Sequence, residues 1–271
     1  MIRSLTIADI PAALRLAAAA GWNQTAADWH DLLYLAPDTC FAIVSGGTLA
    51  ATTAAICYGQ RLAWIGMVLT DPAHRRRGFA RQLMEHALET LTARRIHWIK
   101  LDATDMGAPL YRRLGFEDES AIERWHGMAP RTAAAETAAW DPGCADLDRA
   151  ATGVDRSQLL IQLAPMGAAA CPGEGYAMAR PGAQAAYFGP CIGRSVETAG
   201  RLLAWLGLQY PQQPVYWDLL PDNSAAVRLA RAAGFAPERR LTRMVRAGVP
   251  GAPPLARHDA QVFAIAGFEY G

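Results

Sequence analysis

The sequence lacks the long hydrophobic runs of a membrane protein. Hydrophobic residues make up 52% of it, but no run reaches about 18 uncharged apolar residues, the length that a helix needs to cross a bilayer. The apolar stretch after Arg3 is interrupted by Asp9, Pro11 and Arg15, so it indicates an amphipathic helix rather than a secretory signal. We therefore expect a cytoplasmic protein with no membrane partner.

The sequence also lacks the cysteine and histidine patterns of disulfide-rich or metal-binding proteins. Its five cysteines are scattered and never stand at C-x-x-C spacing: Cys40, Cys57, Cys144, Cys171 and Cys191. Because no secretory signal precedes them, we expect free thiols. Histidines and cysteines do not cluster at the spacing of metal ligands, so we expect no bound metal.

Excess charge and the common nucleotide motifs are missing as well. The formal net charge is +1, which gives no general attraction for nucleic acid or an anionic membrane. No G-x-x-x-x-G-K-[ST] is present, and only one of the three glycines of a dinucleotide fingerprint exists, so both motifs are excluded. Any site for an anion must therefore be local.

Alternating strand and helix signals predict an α/β domain with a mixed sheet over residues 1–128. The main signals are a hairpin across Gly46 and Gly47, a strand over residues 61–69, a helix over 78–93 and a strand over 96–101. A short helix follows and ends at Gly115, a residue type suited to the left-handed position that closes a helix.

The second half repeats this pattern in weaker form. Residues 129–150 are rich in Ala, Pro, Gly and Asp and are predicted to be a linker, and residues 151–271 a second domain. A strand over 215–219 and a helix over 223–233 lead into Gly234-Phe235, as the corresponding unit in the first half leads into Gly115-Phe116. Two such units favour a tandem duplication over chance.

The feature that carries chemistry is the basic loop after the strand that ends at Leu69. Three arginines, Arg75 to Arg77, precede Gly78 and a helix. The small side chain of Ala80 leaves room for a ligand to approach the backbone at the helix start. A helix start exposes unpaired N–H groups and the positive end of the helix dipole, which attract phosphate. The alternative is a solvated basic turn, but two small residues between a strand and a helix favour the anion site.

At this point the sequence resembles a known family. The spacing of Arg75, Gly78 and Ala80, R-x-x-G-x-A, is similar to the pyrophosphate signature of the GNAT acetyltransferases, and residues 111–116 resemble the family's Y-x-x-x-G-F segment. The resemblance covers about residues 2–127 and implies two GNAT-like domains, each a mixed, mostly antiparallel sheet flanked by helices.

The resemblance implies that acetyl-CoA is the acyl donor. Backbone amides of the loop and helix start would hold its pyrophosphate, and the edge of the preceding strand would pair with its pantetheine arm. The implied donor-binding residues are Met67, Val68, Leu69, Arg75, Arg76, Arg77, Gly78, Phe79, Ala80 and Arg81. Residues 102–105 depart from the asparagine that the family often has before this helix, and Thr104 or Asp105 would contact the pantetheine in its place.

Tyr111 would lie near the thioester sulfur and protonate the departing thiolate, a general-acid role. Its alternative is a core tyrosine packed under a helix. The implied mechanism is direct attack of a primary amine on the thioester in a ternary complex. The base is not evident, because residues 63–66 hold no glutamate; Asp31, Asp102 and a water chain are open alternatives.

The acceptor is expected to be a small-molecule amine, held against Trp22, Asn23 and Trp29. The alternative places Trp29 in the core and leaves Asn23 and Gln24 as helix caps. Competing functions are a non-catalytic CoA-sensing protein and a nucleic-acid-binding module at residues 74–81, which the near-neutral charge disfavours.

The second domain is predicted to be a degenerate copy. Its counterpart of the phosphate loop, residues 188–196, has no R-x-x-G-x-A, and Pro190 removes a backbone donor. Ala230 stands where the first half has Tyr111. This domain would support the first one, close its acceptor site, or form a homodimer.

Overall fold

The computed structural model describes residues 1–271, which form two compact units. The first unit contains residues 1–118 and 244–253 together with Tyr270, and the second contains residues 119–243 and 254–269 together with Gly271. These units differ from the predicted division into residues 1–128, 129–150 and 151–271. Each unit takes segments from both halves of the sequence, which no local signal in the sequence reveals.

The strands of the first unit form a sheet in sequential order. They are β1 (Ile2–Ser4), β2 (Cys40–Ser45), β3 (Thr48–Tyr58), β4 (Leu62–Thr70) and β5 (Trp98–Ala103). All neighbours are antiparallel except β4 and β5, which are parallel. Parallel neighbours need a crossover connection, and here the crossover contains a helix.

The helices of the first unit are α1 (Ile10–Ala19), α2 (Ala26–Leu35), α3 (Phe79–Ala93) and α4 (Ala108–Arg113). Helix α3 is the crossover, and its buried face carries Leu83, Met84, Ala87, Leu88 and Leu91. That spacing is the 3.6-residue period of a helix with one face on a core.

The segment 244–253 completes the core of the first unit. Met244 is fully buried in the cluster that contains Ile99 and Leu101, and the amide of Gly248 donates to the carbonyl of His97 over 2.8 Å. Tyr270 is also fully buried and accepts a 2.6 Å hydrogen bond on its carbonyl from the Tyr58 hydroxyl.

The second unit has its own sheet and helices. Its strands are β6 (Glu117–Met128), β7 (Ala138–Ala139), β8 (Ala168–Cys171), β9 (Gly175–Arg180), β10 (Ala186–Gly193), β11 (Pro214–Leu219), β12 (Ala236–Ala247) and β13 (Val262–Ala264). The part of β12 up to Arg243 belongs to this unit, and its last residues belong to the first unit. Its helices are α5 (Cys144–Thr152), α6 (Ser157–Leu163), α7 (Val196–Gln209) and α8 (Ser224–Ala232). The sheet order is β12-β6-β11-β10-β9-β8-β7, and β13 pairs with β10.

The predicted linker, residues 129–150, lies within the second unit. Strand β7 pairs with β8, and α5 buries Cys144 and Ala151. The composition of this segment suggests an open connector, but its small residues allow close packing.

The internal repeat predicted from the sequence is visible in the backbone. Gly115 and Gly234 both close a helix with φ 84°. The next amides, of Phe116 and Phe235, donate back to the carbonyls of Tyr111 and Ala230 over 3.1 and 3.0 Å. Both phenylalanines are buried.

The strand pairings make each unit a mixed, mostly antiparallel sheet flanked by helices, which confirms the predicted fold class. No helix is both long enough and apolar enough to span a bilayer.

Candidate active site

An opening in the first sheet arises where β4 and β5 separate. The two strands pair only at Leu62–Trp98, Ala63–Ile99 and Trp64–Lys100, although both continue beyond these residues. From Ile65 onward, the edge of β4 therefore has peptide groups that β5 does not use. We call this opening the first slot, and such an edge can pair with an extended ligand.

A bulge shapes the edge of the first slot. Thr52 is opposite Leu69 and Ala54 is opposite Gly66, so Met67 and Val68 together face Thr53 alone. Met67 has the left-handed φ of 54°, which is uncommon for a residue with a side chain. The Thr52 hydroxyl donates to the Met67 carbonyl over 2.8 Å. A bulge of this kind redirects the local peptide groups.

The basic loop, residues 71–78, connects the first slot to α3. The Asp71 carboxylate accepts from the Ala73 amide over 2.8 Å and starts a short 3-10 turn, Pro72–His74. Arg76 and Gly78 then take left-handed conformations, with φ 62° and 77°. Left-handed residues in a turn can direct successive N–H groups toward one side, as in backbone sites that bind anions.

The amides at the start of α3 are unpaired. No side chain caps the helix, and the amides of residues 76–81 have no protein acceptor, whereas the Gln82 amide bonds to the Gly78 carbonyl over 3.0 Å. The side chains of Arg75, Arg76 and Arg77 are exposed and form no ion pair within the chain. Arg81 instead pairs with Glu85 over 2.8 Å. The loop thus offers unpaired N–H donors beside uncompensated positive charge.

Tyr111 lies on α4 within the hydrophobic cluster of the first unit. Its ring packs edge-on to Phe116 at 6.2 Å between centroids, and a Cβ placed on Gly107 would lie 2.9 Å from its Cε2. Burial raises the pKa of its hydroxyl above the usual value. The group therefore stays protonated at neutral pH and can donate a proton or a hydrogen bond. No protein group forms a hydrogen bond with this hydroxyl.

The three predicted acceptor-binding residues differ in exposure. Trp22 is partly exposed and Asn23 is 6% exposed, whereas Trp29 is 0% exposed. The indole nitrogen of Trp29 is buried without a hydrogen-bond partner. Thr25, rather than Asn23 or Gln24, caps α2, in a capping box with Asp28. Trp29 therefore lies in the core, as the alternative prediction for this residue stated. Asn23 and Gln24 do not cap the helix, so that part of the same alternative is not observed.

The other polar residues named from the sequence lie at different depths. Asp31 is 5% exposed, whereas Asp102 is partly exposed and Asp105 is exposed. The Thr104 hydroxyl accepts from the Gly107 amide over 3.2 Å and so helps to start α4. Sequence reasoning missed Thr52, because its bond to Met67 joins two strands and leaves no local signal. No group of three or more His, Cys, Asp or Glu residues forms a metal site.

Two family models match the sequence, one for each half. The model of the acetyltransferase (GNAT) family matches residues 13–116, and that of the acetyltransferase (GNAT) domain matches residues 144–264. The chain is a tandem GNAT acetyltransferase. The predicted family is thereby confirmed, and the activity follows in general terms as that of an acyltransferase.

Solved structures of similar fold support a tandem GNAT architecture. A Pyrococcus horikoshii protein assigned to the acetyltransferases superposes with TM-score 0.87 at 21% identity, covering 100% of this chain and 95% of its own. A GCN5-related N-acetyltransferase from Sphaerobacter thermophilus gives 0.67 at 17% identity, covering 95% and 98%. A tandem GNAT protein from the clavulanic acid biosynthesis pathway gives 0.62 at 17% identity, covering 93% and 99%. At these identities the likeness concerns the fold alone. No curated protein matches the sequence.

Proposed function

We propose that the first unit of this tandem GNAT enzyme binds acetyl-CoA and transfers its acetyl group to the primary amine of a small molecule. The observation that carries the proposal is the continuity of the first slot with the basic loop. An open strand edge at residues 67–69 leads directly into unpaired amides at residues 76–81. These two surfaces suit a pantetheine arm and a pyrophosphate, respectively.

The donor would be held mainly by backbone groups. A pyrophosphate at the start of α3 would accept hydrogen bonds from the free amides and gain from the helix dipole. Arg75, Arg76 and Arg77 would add charge at the rim of the site. The amide groups of pantetheine would pair with β4 beside Met67, Val68 and Leu69, as a peptide strand pairs with a sheet edge.

The proposed reaction is direct transfer in a ternary complex. The neutral amine nitrogen attacks the thioester carbonyl carbon, the C–N bond forms, and the C–S bond breaks. The amine loses one proton and the departing thiolate gains one. Backbone N–H groups at the bulge would stabilise the charge on the carbonyl oxygen. The Tyr111 hydroxyl would supply the proton to sulfur, and Asp31, Asp102 or a water chain would accept the proton from the amine.

The acceptor would enter beside Trp22 and Asn23, with Trp29 supporting that wall from the core. The five cysteines are free in the structure, which suits the reducing cytoplasm that we infer as the cellular setting. A homodimer is a further proposal, and its test is the molar mass in solution.

The test of the donor site is a Gly78→Glu variant, which adds bulk and negative charge where the pyrophosphate would bind. Gly47→Glu is the matched control, because Gly47 is also exposed, has φ 80° and has no atom within 4 Å of the position that a Cβ would take. We expect CoA affinity measured by calorimetry to fall at least roughly tenfold in Gly78→Glu, about 1.4 kcal/mol, and to persist in the control. Equal affinity in both variants would contradict the assignment.

Transfer itself is tested by release of CoA thiol across a panel of small amines. The chain has one lysine, Lys100, which is 3% exposed, so acetylation of its own side chains adds little background. Binding of acetyl-CoA without turnover of any amine would instead indicate a non-catalytic sensor.

A further inference from the structure

The second unit repeats the strand separation of the first. Strands β10 and β11 are parallel and pair only at Ala186–Val215, Tyr187–Tyr216 and Phe188–Trp217. Strand β10 then continues to Gly193 without β11 beside it. This is the same number of paired positions as between β4 and β5. We call the resulting opening the second slot.

The C-terminal segment of the second unit fills the second slot. Strand β13 pairs antiparallel with the freed edge of β10, with Ala264 opposite Cys191 and Val262 opposite Ile192. On its other side, the Ile265 amide donates to the Asp218 carbonyl of β11 over 3.0 Å. The segment thus hydrogen-bonds to both strands at the point where they separate.

Close packing holds this segment in the second slot. A Cβ placed on Gly189 would lie 2.1 Å from the Ile265 carbonyl oxygen, so only glycine fits at that position. The indole of Trp217 donates to the Phe263 carbonyl over 2.7 Å, and the Tyr187 hydroxyl donates to the Ile265 carbonyl over 3.2 Å. Phe263, Ala264 and Ile265 are all buried.

Polar contacts anchor the segment on both sides of β13. At its start, the Asn223 side-chain amide donates to the carbonyls of Ala260 and Val262 over 3.1 and 3.0 Å. After it, Glu269 pairs with Arg180 over 2.8 Å, and both side chains are 5% exposed or less. The Arg156 guanidinium donates to the Gly271 carbonyl and pairs with Asp148.

The basic loop has no equivalent in the second unit. Residues 188–193, which we predicted to be part of the corresponding loop, belong to β10 instead. Only Arg194 and Ser195 separate β10 from α7. The Ser195 hydroxyl accepts from the Thr198 amide over 3.2 Å and caps the helix. This helix start therefore has fewer unpaired donors than that of α3.

We propose that residues 262–265 form an internal strand that occupies, in the second unit, the place that a pantetheine arm takes in the first. This inference rests on the proposed function of the first unit. The second slot is then a binding site for a peptide strand, and its occupant is this chain itself. A tethered occupant has an effective concentration of order mM or more, and CoA would have to displace it without a phosphate cradle. The chain accordingly binds one CoA, in the first unit.

The first test measures amide hydrogen exchange in the full chain, with and without saturating CoA. We expect residues 262–265 to exchange slowly in both states, like the paired residues of β10. Fast exchange without CoA, or a loss of protection when CoA is added, would overturn the proposal. This readout is independent of the donor site, because it holds even for a chain that binds no CoA.

The second test counts CoA molecules per chain by native mass spectrometry. One CoA is expected for the unmodified chain, and a much lower occupancy for Gly78→Glu at the same CoA concentration. Two CoA in the unmodified chain would overturn the internal strand. No CoA in the unmodified chain, or equal occupancy in Gly78→Glu with residues 262–265 still protected, would overturn the proposed donor site and leave the internal strand standing.

A variant adds a direct test of the packing. In Gly189→Ala, the new methyl group collides with the Ile265 carbonyl, so exchange of residues 262–265 should accelerate at least roughly tenfold relative to that of β6. Gly200→Ala on α7 is the control, because no atom lies within 4 Å of the position that its methyl group would take. Unchanged exchange in Gly189→Ala would contradict the described packing. If Gly189→Ala does not fold, amide exchange of residues 262–265 in the unmodified chain still decides whether the internal strand occupies the second slot.

Discussion

Thr52 is a single buried side chain on which the shape of the first slot depends. Its hydroxyl satisfies the carbonyl of Met67, the residue of β4 that adopts a left-handed backbone. A buried acceptor that loses its donor costs about 1–3 kcal/mol, so the bulge would relax without this bond. The peptide groups that follow Met67 are those proposed to contact the thioester carbonyl. Thr52 is therefore a positioning residue for the donor.

The first prediction concerns Thr52→Val, which keeps the shape of the side chain and removes the hydroxyl. Because the bulge amides would be misaligned, we expect kcat to fall roughly tenfold, about 1.4 kcal/mol in activation free energy, with a smaller change in KM for acetyl-CoA. Thr52→Ser should restore most of the loss. Steady-state kinetics of the three proteins checks this, and equal kcat in Thr52→Val and the unmodified enzyme would contradict it.

The second prediction concerns Tyr111→Phe. General-acid catalysis typically contributes about 10²–10⁴-fold, so we expect kcat to fall at least roughly 100-fold. No protein partner of the hydroxyl is lost, so the urea midpoint should change little. A Tyr111→Phe enzyme with full activity would indicate that Tyr111 is only a core residue.

The pH dependence of kcat gives an independent check on Tyr111. Burial raises the pKa of its hydroxyl above the usual value, which is about 10 for tyrosine. The active, protonated form then persists above pH 10, and any loss of activity from its ionisation begins only above that pH. A loss of kcat below pH 9 that disappears in Tyr111→Phe would contradict the role of burial.

At the residue scale, the sequence predicts groups whose signal is local. Arg75, Gly78 and Ala80 lie within six residues of sequence, and the structure places the first two in one loop and the third in the helix that follows. Thr52 and Met67 act through a bond between two strands, so neither is marked by its neighbours. The helical spacing of Trp29 is compatible both with a place in the core and with a place in the wall of the acceptor site. Spacing alone does not distinguish the two.

At the element scale, Asn223 joins a helix start to the internal strand. Its side-chain carbonyl accepts from the Ala226 amide over 3.1 Å and caps α8, while its NH₂ group donates to the carbonyls of Asp259, Ala260 and Val262. One side chain therefore contributes both to the helix and to closure of the second slot.

The third prediction separates these two contributions of Asn223. Asn223→Ser retains a cap acceptor but does not reach residues 259–262, whereas Asn223→Ala loses both. We expect the free energy of unfolding, from urea titration, to fall by about 1 kcal/mol in Asn223→Ser and by about 1 kcal/mol more in Asn223→Ala. Equal stability of Asn223→Ser and the unmodified chain would show that the contacts to the segment contribute nothing.

The loop predicted at residues 188–196 shows that an element boundary cannot always be found from the sequence. Gly189-Pro190 is a normal turn signal, yet β10 continues through it to Gly193. The register shift between β9 and β10 lies at these two residues, and a bulge is one of the places where a strand tolerates proline. Residues 191 and 192 pair with β9 on one side and with β13, which is distant in sequence, on the other.

At the scale of the whole molecule, the two units are built from interleaved segments. Local strand, helix and Gly-Phe signals predict a tandem duplication, and the R-x-x-G-x-A and Y-x-x-x-G-F segments add the resemblance to GNAT domains. They were not sufficient to predict that Met244 and Tyr270 belong to the core of the first unit. Those positions depend on tertiary packing, and neither hydrophobicity nor spacing indicates which core a buried methionine enters.

The fourth prediction follows from this interleaving. A fragment of residues 1–128, the first domain as defined from the sequence, lacks the Met244 side chain and leaves the Tyr58 hydroxyl without the Tyr270 carbonyl. We expect it to show no cooperative thermal transition or one far below that of the full chain. Met244→Ala in the full chain is the graded control, with a loss of roughly 2–5 kcal/mol in unfolding free energy. A fragment as stable as the full chain would contradict the unit boundaries.

The membership of residues 244–253 and Tyr270 in the first unit also sets the order of events during synthesis. A ribosome adds about 5–20 residues per second and domains normally fold in turn from the N-terminus. Here the core around Ile99 and Leu101 is complete only after Met244 has left the exit tunnel. We therefore expect the nascent first unit to be less stable than the finished one, with part of its apolar surface exposed, while the second unit is being translated.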